Sequence, residues 1–362
     1  MATVFRTRPR RHSYDLTQIS RASRQLEREL ELNREEFGEF EIFGADDRRV
    51  VRDTLAIPSR FICCIDSIFI NPRDRFPLPE RGTGTLISDR HVLTCAHVVF
   101  EDISTRNGAL AAAGNRTRFP IGYVTPNRLI VSPARNGRVF PVGTATVTNI
   151  RVSRGWQAVA DRQRAAGNRR HLFTDAQDDF ALLTLNRSIG TAIPTSTTQP
   201  LGFWGHPRLS GGTRIRPIEI ARLRNTVVNV AGYPTDKCLD QPPDRPATPL
   251  EIRACRGHVA GNPVLRDQGS TQWVSTGRVI NPAPASAPRV ITYDVDTANG
   301  HSGCPLWLRW EQARNLVAVN TGGFPRETAP FDIVANQGVR ITEEVLREIR
   351  GWMRADRVEP TF

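Results

Sequence analysis

Residues Gly82–Phe100 read GTGTLISDRHVLTCAHVVF. An apolar strand runs into a turn over Ser88–Arg90, a second apolar strand follows, and Thr-Cys-Ala-His closes the stretch. A short turn between two strands joins neighbours of an antiparallel sheet. Similar runs recur on both sides: RFICCIDSIFI, RLIVS, TATVTNIRV, FALLTL, TVVNVAGYP, RVITYDV and NLVAVNTGG, with glycine and proline between them. Many short strands separated by turns describe an all-β barrel or sandwich. They do not alternate with long helices, which argues against a parallel α/β sheet. The stretches 100–175 and 235–288 carry few strand signals and read as surface loops or insertions.

Two helical patterns frame this β-rich body. Over residues 14–37, Leu16, Ile19, Leu26, Leu30 and Phe37 form one stripe at helical spacing. In ITEEVLREIRGWM, Ile341, Val345, Leu346, Ile349 and Met353 make one apolar face that a C-terminal helix would pack on the body. With 362 residues the chain can bury a sizeable core. No run approaches 18 apolar residues, so no membrane span is expected.

The net charge is +12, and Lys237 is the only lysine among the basic residues. Residues 1–41 hold eight Arg, seven Glu and one Asp, so the rest of the chain carries the whole excess. The arginines are scattered, with no dense cluster beyond Arg6–Arg11, and specific nucleic-acid binding is not expected. The first twenty residues lack the apolar core of a secretory signal, which points to a cytoplasmic chain. The six cysteines, Cys63, Cys64, Cys95, Cys238, Cys255 and Cys304, show no zinc-type spacing. Cys238 and Cys255 are able to close a loop, although reduced thiols suit a reducing compartment. No metal or cofactor is expected.

Three local patterns carry chemistry when taken together. Asn299–Trp307 reads NGHSGCPLW, with Ser302 between glycines in a turn ahead of an apolar run. His97 ends the hairpin quoted above, and Asp179 precedes a buried strand in DAQDDFALLTL. Each alone reads as a turn or strand-end residue. A serine hydroxyl becomes a strong nucleophile only when a neutral imidazole removes its proton, and the imidazole needs a buried carboxylate to hold its tautomer. The main-chain N–H groups of Gly300 and Ser302 would face a developing oxyanion.

These motifs resemble the chymotrypsin-like serine proteases, and within them the glutamyl endopeptidase branch. The likeness runs from about Ile42 to Met353. IFGADDRRVVRDTLAIPSRFICCI resembles the mature start of that branch, and GTGTLIS–VLTCAHVV, DDFALLTL, VNVAGYPTDK, YDVDTANGHSGCPLW and VAVNTGG follow in its order. The resemblance implies a double antiparallel β-barrel, over about 42–200 and 201–340, with a closing helix over 341–354. It implies a serine endopeptidase acting on protein or peptide substrates, with His97 as base, Asp179 as orienting acid and Ser302 as nucleophile. It also implies secretion as the alternative location, and a pocket built from Asp296, Thr297, Asn320, Thr321 and Gly322.

Three positions depart from the branch pattern. His301 stands where Asn or Gln is usual, Asn320 where a His helps to read a glutamate side chain, and Asp296 lies six residues before Ser302, the spacing that selects basic side chains in trypsin-like relatives. Preference for an acidic, a basic or another residue before the cut stays open, as do a silent binding module and ester hydrolysis. Residues 1–41 match no part of the barrel pattern. They read as a pro-segment that covers the body or cleft, with release by a cut after Glu41, or as a helix that recruits a partner. Glu35, Glu36, Glu39 and Glu41 would favour docking on the basic body.

Overall fold

The computed structural model describes residues 4–6, 41–112, 115–166, 173–237, 269–325 and 333–362. The helical stripe over 14–37 and the pair Cys238 and Cys255 lie outside them. Fifteen strands are described: β1 (Val4–Arg6), β2 (Arg49–Val50), β3 (Ile62–Ile70), β4 (Pro77–Leu86), β5 (His91–Thr94), β6 (Arg128–Pro133), β7 (Ala145–Val152), β8 (Ala181–Leu185), β9 (Thr213–Ile215), β10 (Val227–Gly232), β11 (Trp273–Asn281), β12 (Val290–Tyr293), β13 (Pro305–Trp310), β14 (Ala313–Pro325) and β15 (Ile333–Arg340).

Strands β3 to β8 close one six-stranded antiparallel barrel. The order is β7-β6-β3-β4-β5-β8, and β8 returns to β7. Strands β10 to β15 close a second, in the order β10-β13-β14-β15-β12-β11 with β11 returning to β10. This is the double barrel expected from the sequence. Closure pairs most strand edges within each barrel. Each barrel is filled by inward-facing aliphatic side chains. Ile62, Ile65, Leu86, Val92, Val131, Ile150 and Leu183 are buried in the first. Val228, Val230, Ile291, Leu306 and Val317 are buried in the second. Burying one such side chain contributes about 1.5–3 kcal/mol. Trp204, in the connection between the barrels, packs edge-on against Phe61 (ring centroids 6.5 Å apart) and Trp307 (5.9 Å), so an aromatic contact bridges the two barrels.

Several details differ from the sequence reading. β11 falls inside 235–288, a stretch that reads as loop in the sequence. Its own run, WVSTGRVIN, alternates polar residues around Gly277, and a Cβ at Gly277 would stand 2.4 Å from Asp294 Oδ1. Helix α1 (Arg154–Ala166) lies inside 100–175; Trp156, Val159, Ala160 and Gln163 are its buried face, and Trp156 Nε1 donates to Phe100 O at 3.1 Å. Three residues of the N-terminal segment join the first barrel. β6 pairs with β7 only at Ala145 and Thr146, and β1 takes the vacated edge at Asn149–Arg151.

The C-terminal helix α2 (Glu343–Ala355) forms as expected. Thr342 caps it by accepting from Val345 N–H at 3.3 Å, and Glu343 and Glu344 favour its positive N-terminal end. It buries Val345, Leu346, Ile349, Trp352 and Met353. Just beyond it, the Asp356 carboxylate accepts from Thr184 Oγ1 at 2.5 Å, meets His91 Nε2 at 3.2 Å and pairs with Arg151. The helix end is thereby fastened to β8, β5 and β7. Burial works to raise the Asp356 pKa, and these three partners outweigh it, holding it well below the usual carboxylate range.

Candidate active site

β5 and β8 are antiparallel neighbours, with Thr94 opposite Ala181. The chain leaving β5 and the chain entering β8 therefore lie at the same end of the barrel. His97 sits on the first and Asp179 on the second. Asp179 Oδ2 is 2.6 Å from His97 Nδ1, and Asp179 Oδ1 accepts the His97 main-chain N–H at 2.9 Å. Two bonds from one nearly buried carboxylate fix both the position and the rotation of the imidazole. On its other side, His97 Nε2 lies 2.8 Å from Ser302 Oγ. Burial works to lower the His97 pKa, but the Asp179 charge, Cys95 and the Asp179 hydrogen bond outweigh it, and the result is well above the usual histidine value.

Ser302 belongs to the second barrel, on the turn that enters β13. Gly300 has φ +95°, and a Cβ there would fall 2.2 Å from Tyr233 O, so no other residue fits. Thr83 in β4 fastens this turn to the first barrel. Its N–H donates to Ser302 O at 2.8 Å and its Oγ1 donates to Gly300 O at 2.7 Å. Thr83 Oγ1 also accepts from Tyr233 N–H at 3.0 Å, and Thr83 O accepts from Thr94 Oγ1 at 2.7 Å. The N–H groups of Gly300 and Ser302 have no acceptor among the described residues. The sequence reading missed Thr83; the small polar residue in the Gly-Thr-Gly-Thr run was the available signal.

His301 is fully buried between those two residues. Its Nδ1 is 3.1 Å from Ala298 N and 3.2 Å from Ala298 O, while Nε2 has no partner among the described residues. Burial, then the positive charge of Arg48, pushes its pKa down to about 3. Arg48 is itself held by Asp236 (2.6 Å) and Asp46 (2.7 Å), and Lys237 reaches Asp46 at 2.7 Å while lying 4.4 Å over the Trp273 ring. This ion cluster, which the sequence reading missed, seats residues 46–48 on the second barrel.

Two of the expected pocket residues, Asp296 and Asn320, make internal hydrogen bonds. Asp296 is 3% exposed, and its carboxylate oxygens accept Phe43 N–H at 2.7 Å and Asp47 N–H at 3.0 Å. Its carboxylate holds the 42–47 segment. Asn320 is also spent internally. Tyr293 Oη donates to its Oδ1 at 2.5 Å, and its Nδ2 donates to His301 O at 2.9 Å. Thr321 Oγ1 donates to Gln337 O at 3.4 Å, and Gly322, at φ +144°, sits at a bulge in the β14–β15 pairing. The buried Thr297 Oγ1 and Gln337 Oε1 have no partner among the described residues.

Cys95 is buried beside the histidine, with Sγ 3.6 Å from His97 Nε2, and burial pushes its thiol pKa up to about 11. Among the described residues, Cys95, His97 and Asp179 are the metal-ligating side chains that converge, with one donor atom from each inside 4.8 Å.

A nucleophile-type serine, an imidazole and a buried carboxylate at the junction of two six-stranded barrels define a class. A family model described as a trypsin-like peptidase domain matches residues 82–319, and the chain belongs to that family. Its class is therefore that of the trypsin-like serine endopeptidases, hydrolases that cut peptide bonds in proteins or peptides. The chain is 24% identical over 316 residues to the glutamyl endopeptidase of Bacillus licheniformis, covering 86% of this chain and 68% of that one. It is 20% identical over 325 residues to the extracellular metalloprotease of Bacillus subtilis, covering 90% and 73%. A solved Glu endopeptidase in complex with MPD matches with a TM-score of 0.51 at 21% identity, covering 87% of this chain and 100% of that one, which bears out the fold.

Proposed function

We propose that this endopeptidase works through Ser302, His97 and Asp179. The observation that carries the reading is the unbroken line of short contacts, 2.6 Å from Asp179 Oδ2 to His97 Nδ1 and 2.8 Å from His97 Nε2 to Ser302 Oγ. His97 takes the hydroxyl proton as Ser302 attacks the peptide carbonyl. Asp179 holds the ring and stabilises the imidazolium that forms. The negative oxygen of the tetrahedral species is received by the N–H groups of Gly300 and Ser302. Proton return to the leaving amine leaves an acyl-enzyme, which a water activated by His97 hydrolyses. Labelling with a fluorophosphonate tests this. The adduct should map to Ser302, vanish in Ser302→Ala and fall sharply in His97→Ala. Normal labelling of a folded His97→Ala chain would sink the assignment.

For the residue before the cut we favour an acidic side chain. The similarity to a glutamyl endopeptidase supports it, as does the +12 charge. The engaged carboxylate of Asp296 argues against a basic one. Thr297 Oγ1, buried and unpartnered among the described residues, is the donor we would place on the substrate carboxylate. A peptide-mixture cleavage profile decides it: cuts after Arg or Lys refute the reading. We also propose that residues 1–41 are removed. Asp296 grips Phe43 and Asp47 independently of residues 1–41, so a new Ile42 terminus would stay seated. A wild-type intact mass identical in extent to that of Ser302→Ala would remove self-processing. The extracellular relative favours secretion over the cytoplasmic location expected from the sequence.

A further inference from the structure

We propose that Cys95 Sγ and His97 Nε2 form an inhibitory site for a thiophilic divalent cation, of which Zn2+ is the type. The geometry matches such an ion. Zinc binds thiolate at about 2.3 Å and imidazole nitrogen at about 2.0–2.1 Å, so two such donors at a tetrahedral angle stand about 3.5 Å apart. Cys95 Sγ and His97 Nε2 stand 3.6 Å apart. The ring already has the partner that metal-binding histidines need: Nδ1 faces the Asp179 carboxylate at 2.6 Å, which orients the ring and raises the basicity of Nε2. Water completes the coordination from the cleft, on the side where the His97 side chain is 21% exposed.

Binding is an exchange of protons for metal. The Cys95 S–H bond breaks, its proton goes to solvent, and a sulfur–metal bond takes its place. The second bond uses the Nε2 lone pair. That is the pair the proposed mechanism uses to take the Ser302 proton, so an occupied site has no base. Inhibition is reversible by a chelator, because no covalent bond of the protein's carbon and nitrogen framework is altered.

The site rests on the geometry of Cys95 and His97 alone, so it is tested apart from peptide hydrolysis. Full-length Ser302→Ala chain, which cannot process itself by the proposed route, is titrated with Cd2+ or Co2+, and the thiolate-to-metal charge-transfer band is followed in the near ultraviolet. One equivalent of band is expected from this site. It should be missing from Ser302→Ala/Cys95→Ala and weakened in Ser302→Ala/His97→Gln. The remaining cysteines are common to all three proteins, so the difference reports Cys95. Should Cys95→Ala melt early, Cys95→Ser and Cys95→Val carry the same comparison. A full band in every folded Cys95 variant overturns the assignment, and so does a band in Ser302→Ala/His97→Gln equal to that of its Ser302→Ala parent. A second arm uses the active chain. Its peptidase or fluorophosphonate reactivity should fall with Zn2+ and return with a chelator. Reactivity that rises with Zn2+ overturns the inhibitory role, while absence of peptide cleavage with the band intact would fault the proposed function and leave the metal site standing.

Discussion

Acid should unfold this protein through His301, and the size of the effect follows from its surroundings. The ring is fully buried, and its pKa is pushed down to about 3 by burial and by Arg48. In the unfolded chain a histidine titrates near 6.5, at about 1.36 kcal/mol per pH unit of difference. The sign is that of a depressed group. Its contribution is complete above the unfolded value and is lost as pH falls toward the folded one, because the unfolded chain takes a proton that the folded chain refuses. Between about pH 7.5 and about pH 4.5 the loss comes to about 2–3 kcal/mol. The assay is urea unfolding followed by tryptophan fluorescence, in a Ser302→Ala background to prevent self-digestion. His301→Gln keeps the volume and removes the titration. Every other group titrates in both proteins, so the difference of their pH slopes isolates His301. Wild type should lose about 2–3 kcal/mol more than His301→Gln over that interval. Parallel curves would refute the reasoning and show that the buried ring is protonated in the folded chain.

Thr83→Val keeps the shape and removes the hydroxyl that bridges Gly300 O and Tyr233 N–H; it should cost about 1–3 kcal/mol of stability and lower kcat more than it raises KM, and unchanged kinetics would show the turn to be held otherwise. Asp296→Asn should lower the thermal midpoint by weakening the hold on Phe43 and Asp47 while leaving the residue preference before the cut where it was; a change of preference would return Asp296 to the pocket. Because the pKa of His97 is raised, imidazolium persists to higher pH, so kcat/KM should reach half its plateau above about 6.5. Half-activity below that value would contradict the ion pair. The same pairing stabilises the fold while His97 is charged, and that contribution is lost as pH rises through the folded value.

Much of the architecture was legible because strand signals are local. β3, β5, β8, β10 and β13 are compact apolar runs, and His97, Asp179 and Ser302 flank the ends of β5, β8 and β13, so the order of motifs carried the site. What escaped depends on partners remote in sequence. β11 looks polar until β10, β12 and β2 surround it. α1 has a buried stripe too weak to outweigh its arginines. Asp296 reads as a pocket floor by spacing alone, and only the N–H groups of Phe43 and Asp47, some 250 positions earlier, show where its charge is used. The bonds of Asn320 to Tyr293 and to His301 O likewise have no signal in the sequence. Thr83 showed only as a small polar residue in the Gly-Thr-Gly-Thr run.

The threonine bridge between the barrels has a consequence for how the molecule could be divided. The proposed base and its acid ride on one barrel and the proposed nucleophile on the other, and residues 186–226 carry the chain from β8 of the first to β10 of the second. Cutting that stretch would yield two pieces, neither holding a complete set of reactive groups. Fluorophosphonate labelling of the mixed pieces would then act as a proximity gauge, responding to a misplacement of about 1 Å between Ser302 and His97. The two barrels would behave as the halves of a coincidence detector, silent apart and reactive only when docked in register.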